Sequence, residues 1–347
     1  MAVSPDGEWL AAVVEQTMNE GRRMTRAMLV RTDGTQMVVL GHQGEERIDR
    51  MAFDGQSRYL AHAGDRGAIR VWRMEGIREA ARQERHEVPA DINLNVDGVR
   101  TDFPWPVAFH PAKRMYMVNG DGHLMSWDVD SADPEKTVVS VEHSVGHLLP
   151  DLAFAPDGKL AAVLRLGADL KVAGSAQCDG QVILYGVTDS ADPVFRMALP
   201  ANVGVQGRVV FSPDGRWLAA GAPGHAPYVW DLEAEDIAAS EQRPPVSSPG
   251  TLALAFSPDS QRLAVGTSVG LLALWRPQAP RALEQIESRG GITSLVWLSD
   301  GKIVTGMENG LLLLWPTDAD ELAGLARRVA GRELTEDERR RFGVPDR

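Results

Sequence analysis

One pattern of apolar and polar positions recurs along the chain. An apolar pair leads to an aromatic residue and a Ser-Pro-Asp-Gly-like turn, a second apolar stretch runs to a glycine-bearing turn, and a third ends in tryptophan. Leu254-Ala255-Phe256, Ser257-Pro258-Asp259-Ser260, Leu263-Ala264-Val265-Gly266 and Leu271-Leu272-Ala273-Leu274-Trp275 spell it in full. Phe211-Ser212-Pro213-Asp214-Gly215 opens another copy that closes at Trp230-Asp231. Short apolar runs bounded by Gly, Pro, Asp and Ser read as strands. Proline presets φ at the second position of a type I turn and glycine closes the fourth, so the first two strands form a hairpin. Asn309-Gly310 and Asp121-Gly122 mark the next turn, where positive φ is needed. Segments such as Met37 to Leu40, Val138 to Val141 and Phe195 to Leu199 supply an outer fourth strand.

The aromatic slot is filled at Phe53, Phe109, Phe154, Phe211, Phe256 and Trp297, with Val3 in the equivalent place before Ser4-Pro5-Asp6-Gly7. The later slot is Trp72, Trp127, Tyr185, Trp230, Trp275 and Trp315, and repeat one departs with Leu29-Val30. That makes seven units, roughly 40 to 57 residues apart, against a period of about 40 to 45 for four-stranded propeller blades. No blade buries both faces alone, so the units must stack around a ring. The predicted fold is all-β: a seven-bladed β-propeller over residues 1–317, followed by a short C-terminal helical tail over 318–347.

These residues resemble the WD-repeat family over Met1 to Trp315. Its Gly-His dipeptide stands at Gly41-His42 and Gly146-His147, and its Trp-Asp at Trp127-Asp128 and Trp230-Asp231. The turn aspartate is matched at Asp121 and Asp179, whereas Arg66, Val269 and Asn309 replace it elsewhere. Repeat one, ending Arg31-Thr32-Asp33-Gly34, is closer to a TolB-type blade.

Composition narrows the function. A formal net charge of -12 opposes the broad basic surface that nucleic-acid binding needs for phosphate neutralisation. Cys178 is the single cysteine, so an internal disulfide and a cysteine zinc site are excluded and a reducing, cytoplasmic setting is expected. The longest aliphatic run, Leu311 to Leu314, is too short to span a bilayer, and no secretory leader opens the chain.

The chemical motifs resolve to structure. Gly266-Thr267-Ser268-Val269-Gly270 matches GxSxG, yet it joins two strands rather than the strand and helix of a nucleophile elbow. His143 and His147 have a ligand-like spacing without a third ligand, and Cys178 lacks a base. No phosphate loop, HExxH helix or EF-hand loop occurs. No catalytic residue, metal site or cofactor is expected.

The tail carries an apolar helical face at Leu322, Leu325, Ala326 and Val329 and a capping box at Thr335 and Glu338. Residues 325–335 resemble the segment after WD repeats in large bacterial signalling proteins, including NACHT or STAND-type ATPases and caspase-like proteases. That resemblance implies a sensor propeller at the C-terminal end of a longer polypeptide, with its upstream domains and a protein as partners. The alternatives are a free-standing scaffold and the propeller of a hydrolase. The second-to-third-strand turns are enlarged in repeats one (Glu15 to Arg26) and four (Gly167 to Asp179). Partner contact is therefore expected on that rim, at Arg22, Arg23, Arg26, Arg47, Arg66, Trp105, His123 and Lys171. Blade seven is expected to hold three strands, its open edge filled by residues upstream of Met1.

Overall fold

The computed structural model describes residues 1–17, 23–41, 48–64, 68–85, 87–95, 106–111, 114–118, 123–144, 151–166, 180–187, 193–199, 207–221, 224–246, 250–279, 283–288 and 290–318. Its turns fold as their residue types dictate. The amide of Gly7 donates to the Ser4 carbonyl at 2.8 Å, and Gly158 and Gly215 repeat the bond to Ala155 and Ser212. All three glycines have φ between +74° and +78°, where a side chain is strained. The Ser4 hydroxyl accepts from the Trp9 amide and donates to Asp6, and Ser212 and Ser257 do the same for Trp217 with Asp214 and for Arg262 with Asp259.

Each turn starts a sheet. Blade one holds β1 (Ala2–Val3), β2 (Trp9–Thr17), β3 (Arg23–Arg31) and β4 (Met37–Gly41). Blade two holds β5 (Ile48–Phe53), β6 (Tyr59–Gly64) and β7 (Ala68–Arg73); a helix, α1 (Met74–Arg82), and β8 (Glu87–Pro89) intervene before its outer strand β9 (Ile92–Asn95). Blade three is β10 (Val107–Phe109), β11 (Arg114–Val118), β12 (His123–Asp128) and β13 (Val139–Ser144). Blade four is β14 (Asp151–Phe154), β15 (Leu160–Leu166), β16 (Gly180–Gly186) and β17 (Pro193–Leu199). Blade five has three strands, β18 (Arg208–Phe211), β19 (Trp217–Gly221) and β20 (Tyr228–Asp231). Blade six is β21 (Thr251–Phe256), β22 (Leu263–Thr267), β23 (Leu271–Trp275) and β24 (Leu283–Glu287). Blade seven is β25 (Ile292–Trp297), β26 (Ile303–Met307) and β27 (Leu312–Trp315), three strands among the described residues.

The first strands of neighbouring blades touch in sequence around a central channel, and β1 touches β25 to close the ring. The core is consequently seven layers, one between each pair of blades. Leu29, Leu40 and Trp72 fill the layer between blades one and two, and Leu184, Leu218 and Trp230 that between four and five. Among the described residues, the layer between blades seven and one is built on three buried residues, Leu10, Leu298 and Val304, with Met1, Val3 and Val296 packed against them.

The repeat pattern does not predict α1. Its buried residues, Met74, Ile77, Ala80 and Ala81, share one helical face that packs on Val38 and Leu40 of blade one. The chain then adds β8 in parallel to β4, giving blade one a fifth strand, before it returns to pair β9 with β7. The predicted outer strands are present as β4, β13 and β17. The GxSxG-like residues form the turn between β22 and β23, with Gly270 at φ +89°.

Candidate interaction face

The ring has two unlike faces. The Ser-Pro-Asp turns line one, and side chains stitch it from blade to blade. The Asp6 amide donates to Ser57 Oγ at 2.9 Å, the Asp214 amide to Ser260 Oγ at 3.0 Å, and His110 Nε2 stands 2.8 Å from the Gly158 carbonyl. A Cβ on Gly7 would meet Ser299 Oγ at 2.5 Å, so only glycine lets blades seven and one approach there. Arg58 bonds both Asp54 and Asp130, and the Tyr59 hydroxyl donates to Asp130 at 2.7 Å. Burial, and then that hydrogen bond, pushes the Tyr59 hydroxyl above its usual range and keeps it a donor.

A cleft of about 360 Å³ on this side is lined by Asp6, Glu8, Trp9, Arg31 and Arg78 among others. Its cations are paired: Arg78 with Asp6 at 2.6 Å and with Glu8 at 3.5 Å, and Arg31 and Arg82 with the neighbouring Asp33 at 3.5 Å and Glu79 at 2.7 Å.

Hairpins on the opposite face project instead. β2 and β3 pair over nine residues each, out to Thr17 opposite Arg23, and β15 and β16 pair out to Leu166 opposite Gly180. Most of the stretch Glu15 to Arg26, expected as a loop, is therefore ladder. The β-branched Val13, Val14, Thr17 and Thr25 favour the extended strand. Arg26 is exposed on β3 opposite Val14, and Arg23 is the first residue of that strand. His123 opens β12 opposite Ser144 on the same face, where the register shifts before Leu124. Arg22, Arg47, Arg66, Trp105 and Lys171 lie outside the described residues, as do His147 and Cys178.

Between the projecting hairpins lies the channel mouth, where the structure places a pair that the sequence reading did not select. Arg50 on β5 reaches from blade two to blade four, and its Nη1 is 2.9 Å from Asp151 Oδ1 at the start of β14. Its Nη2 donates to the Gly207 carbonyl at 3.1 Å, beside blade five. The amides of Val209 and Leu152 donate to the Asp151 carboxylate. The side chains are 17% and 10% exposed, so the pair is shielded from solvent. Burial raises the Asp151 carboxyl above the ordinary carboxylate range, and Arg50 and the two amides counter it in part. The signal was present: Arg50 and Asp151 both stand three residues before the repeat aromatic, where blade six carries Ala253.

Among the described residues no group of three His, Cys, Asp or Glu side chains is placed to hold a metal ion, and no helix is long and apolar enough to cross a membrane.

Seven sheets around a channel, most of them opened by a Ser-Pro-Asp-like turn, define a seven-bladed β-propeller, and comparison with known proteins agrees. No protein-family model matches the chain. A Drosophila melanogaster protein, "Protein LST8 homolog", is 26% identical over 187 residues, 53% of this chain and 54% of that one. The mouse "Telomerase protein component 1" is 28% identical over 222 residues, 63% of this chain and 8% of that protein. The chain thus spans about half of the first relative and a small part of the second. Among solved structures, the mitotic checkpoint complex contains a chain of TM-score 0.63 and 16% identity, covering 91% of this chain and 85% of that one. The Myceliophthora thermophila Cps50 (Swd1) propeller domain aligns with TM-score 0.64 at 12% identity, over 91% and 96% of the two chains. Hydrazine synthase of Kuenenia stuttgartiensis aligns with TM-score 0.61 at 14% identity, over 91% and 94%. Identities this low show a shared fold, and a fold shared by an enzyme and by assembly proteins does not by itself name an activity.

Proposed function

We propose that this chain is a non-catalytic protein-interaction propeller, a scaffold that receives a protein partner on the face of the projecting hairpins. One observation carries the reading: the two faces differ, one stitched blade to blade by its turns and the other extended by the β2–β3 and β15–β16 ladders. Long elements on a rigid ring are where recognition concentrates. Arg22, Arg23, Arg26, Arg47, Arg66, Trp105, His123 and Lys171 are the residues proposed to meet the partner, interspersed in the same stretches with Glu15, Glu20, Glu45, Glu46, Asp65 and Asp169. The solved propeller in the mitotic checkpoint complex also works within a protein assembly.

Charge reversal of Arg22, Arg23 and Lys171 together tests the reading. With a partner identified by crosslinking, the triple variant should bind at least tenfold more weakly, and more so at low salt. Unchanged affinity, with the fold intact by circular dichroism, would refute it.

The finer reading, a sensor region at the C-terminal end of a longer cytoplasmic signalling protein, is supported by the tail resemblance at 325–335. An ATP-binding or protease domain encoded in frame upstream of Met1 would support it, and a promoter there would count against it.

A further inference from the structure

Blades three and five end in the same way, and the sequence after blade seven repeats their ending. In both, the amide of the residue after the tryptophan donates to a hydroxyl nine residues further on: Asp128 to Thr137 Oγ1 and Asp231 to Ser240 Oγ, each at 2.9 Å. Each hydroxyl in turn donates to the carbonyl three residues before it, Pro134 or Ile237, at 2.7 Å. The chain then folds back so that the residue before the tryptophan pairs antiparallel with the residue twelve after it. Ser126 pairs with Val139 in blade three and Val229 with Gln242 in blade five. In blade five, Leu232 and Ile237 pack on the core and Arg243 lies over the Tyr228 ring at 3.9 Å.

Glu233-Ala234-Glu235-Asp236-Ile237-Ala238-Ala239 after Trp230 is matched, at equal spacing, by Asp318-Ala319-Asp320-Glu321-Leu322-Ala323-Gly324 after Trp315. The differences between the segments compensate. Pro316 follows Trp315 and has no amide to donate; at the position of the accepting hydroxyl stands Leu325, which needs no donor. Gln242-Arg243 correspond to Arg327-Arg328. Meanwhile β27 leaves Leu312 43% and Leu314 55% exposed, whereas Val229, the counterpart of Leu314, is fully buried under its cap.

We infer that residues 319–330 of this chain fold back on blade seven as residues 234–245 do on blade five, with residues 327–330 as its fourth strand. Leu314 pairs with Arg327 and Leu312 with Val329, which sets an apolar side chain beside Leu312 and satisfies the edge of β27. The occupant of that edge is thus the chain's own downstream segment, not upstream residues or a second copy. The helical spacing of Leu322, Leu325 and Ala326 is used in one turn before the strand, as at Ile237 to Ser240.

Hydrogen exchange of the full chain, read by mass spectrometry, tests this. The amides of 312–315 and 327–330 should exchange at least tenfold more slowly than those of 335–347. Arg327→Pro, which removes the pairing amide, should accelerate exchange in 312–315 at least tenfold while leaving blade six unchanged. Leu325→Asp, which puts a charge where a leucine packs, should act in the same direction. Protection of 312–315 that neither variant alters overturns the inference. So does protection that rises with protein concentration, as a second copy requires, or that requires sequence upstream of Met1.

Discussion

Blades six and seven write their third strands almost identically, Leu271-Leu272-Ala273-Leu274-Trp275 and Leu311-Leu312-Leu313-Leu314-Trp315, yet the two runs have opposite fates. Every residue of β23 is buried, with Leu272 and Leu274 at 1% and 5%, while Leu311, Leu312 and Leu314 are exposed. The difference lies in the neighbours. Leu272 and Leu274 pack on Ile292, Leu295 and Trp297 of the next blade, and β24 pairs along the outer edge. Leu313 and Trp315 pack on blade six, but across the seam blade one offers Val3 where the other repeats carry Phe or Trp. An apolar run is a demand for cover, and the partner surface decides whether it is met.

The Arg50–Asp151 pair is a second contrast to that seam, a shielded ion pair that ties blade two to blade four. Arg50→Met should have the largest effect, a loss of about 3–5 kcal/mol in urea unfolding, because it leaves Asp151 buried without its cation. Arg50→Met with Asp151→Leu should recover most of that loss. A single-variant loss below about 1 kcal/mol would mean that the pair does little to tie the two blades.

The comparison itself can be broken with one pair of variants. Leu274→Ala opens a cavity in the layer between blades six and seven and should cost about 2–5 kcal/mol. Leu311→Ala, exposed at the start of the matching run, should cost under about 1 kcal/mol. Equal losses would show that the two strands are equally covered. Ser240→Ala sharpens the contrast from blade five: losing the acceptor for the Asp231 amide should cost about 1 kcal/mol and loosen the cap over Val229, read as faster exchange there.

The smallest effect is in acid. The hydroxyl of Ser257, and then the amide of Gln261, bond the Asp259 carboxylate and hold it below the ordinary 3.8. A carboxyl lowered in the folded state contributes stability above pH 3.8 that is lost as pH falls through its folded value. Asp259→Asn should therefore flatten the decline of the urea midpoint below about pH 4. An unaltered acid limb would remove this turn as a contributor.

The ring was legible because its evidence is local and repeated. Phe256, Ser257-Pro258-Asp259 and Trp275 each specify a strand, a turn or a core position on their own, and seven copies leave few arrangements that bury both faces of every sheet. The helix α1 was less legible: Met74, Ile77, Ala80 and Ala81 have helical spacing, but they interrupt a pattern of period two and occur once. The channel pair was harder still. Arg50 and Asp151 lie a hundred residues apart, and their shared repeat position marks each as unusual without marking them as partners.

By itself, then, the sequence determined the number of blades, the order of strands within each and the turn that opens most of them, because those follow from the alternation of apolar residues and the φ preferences of Pro and Gly. Only the tertiary structure decided which apolar runs find cover, that α1 and β8 close over blade one, and that one arginine spans the channel. These depend on surfaces brought together by ring closure, where distance along the chain has no bearing on distance in space.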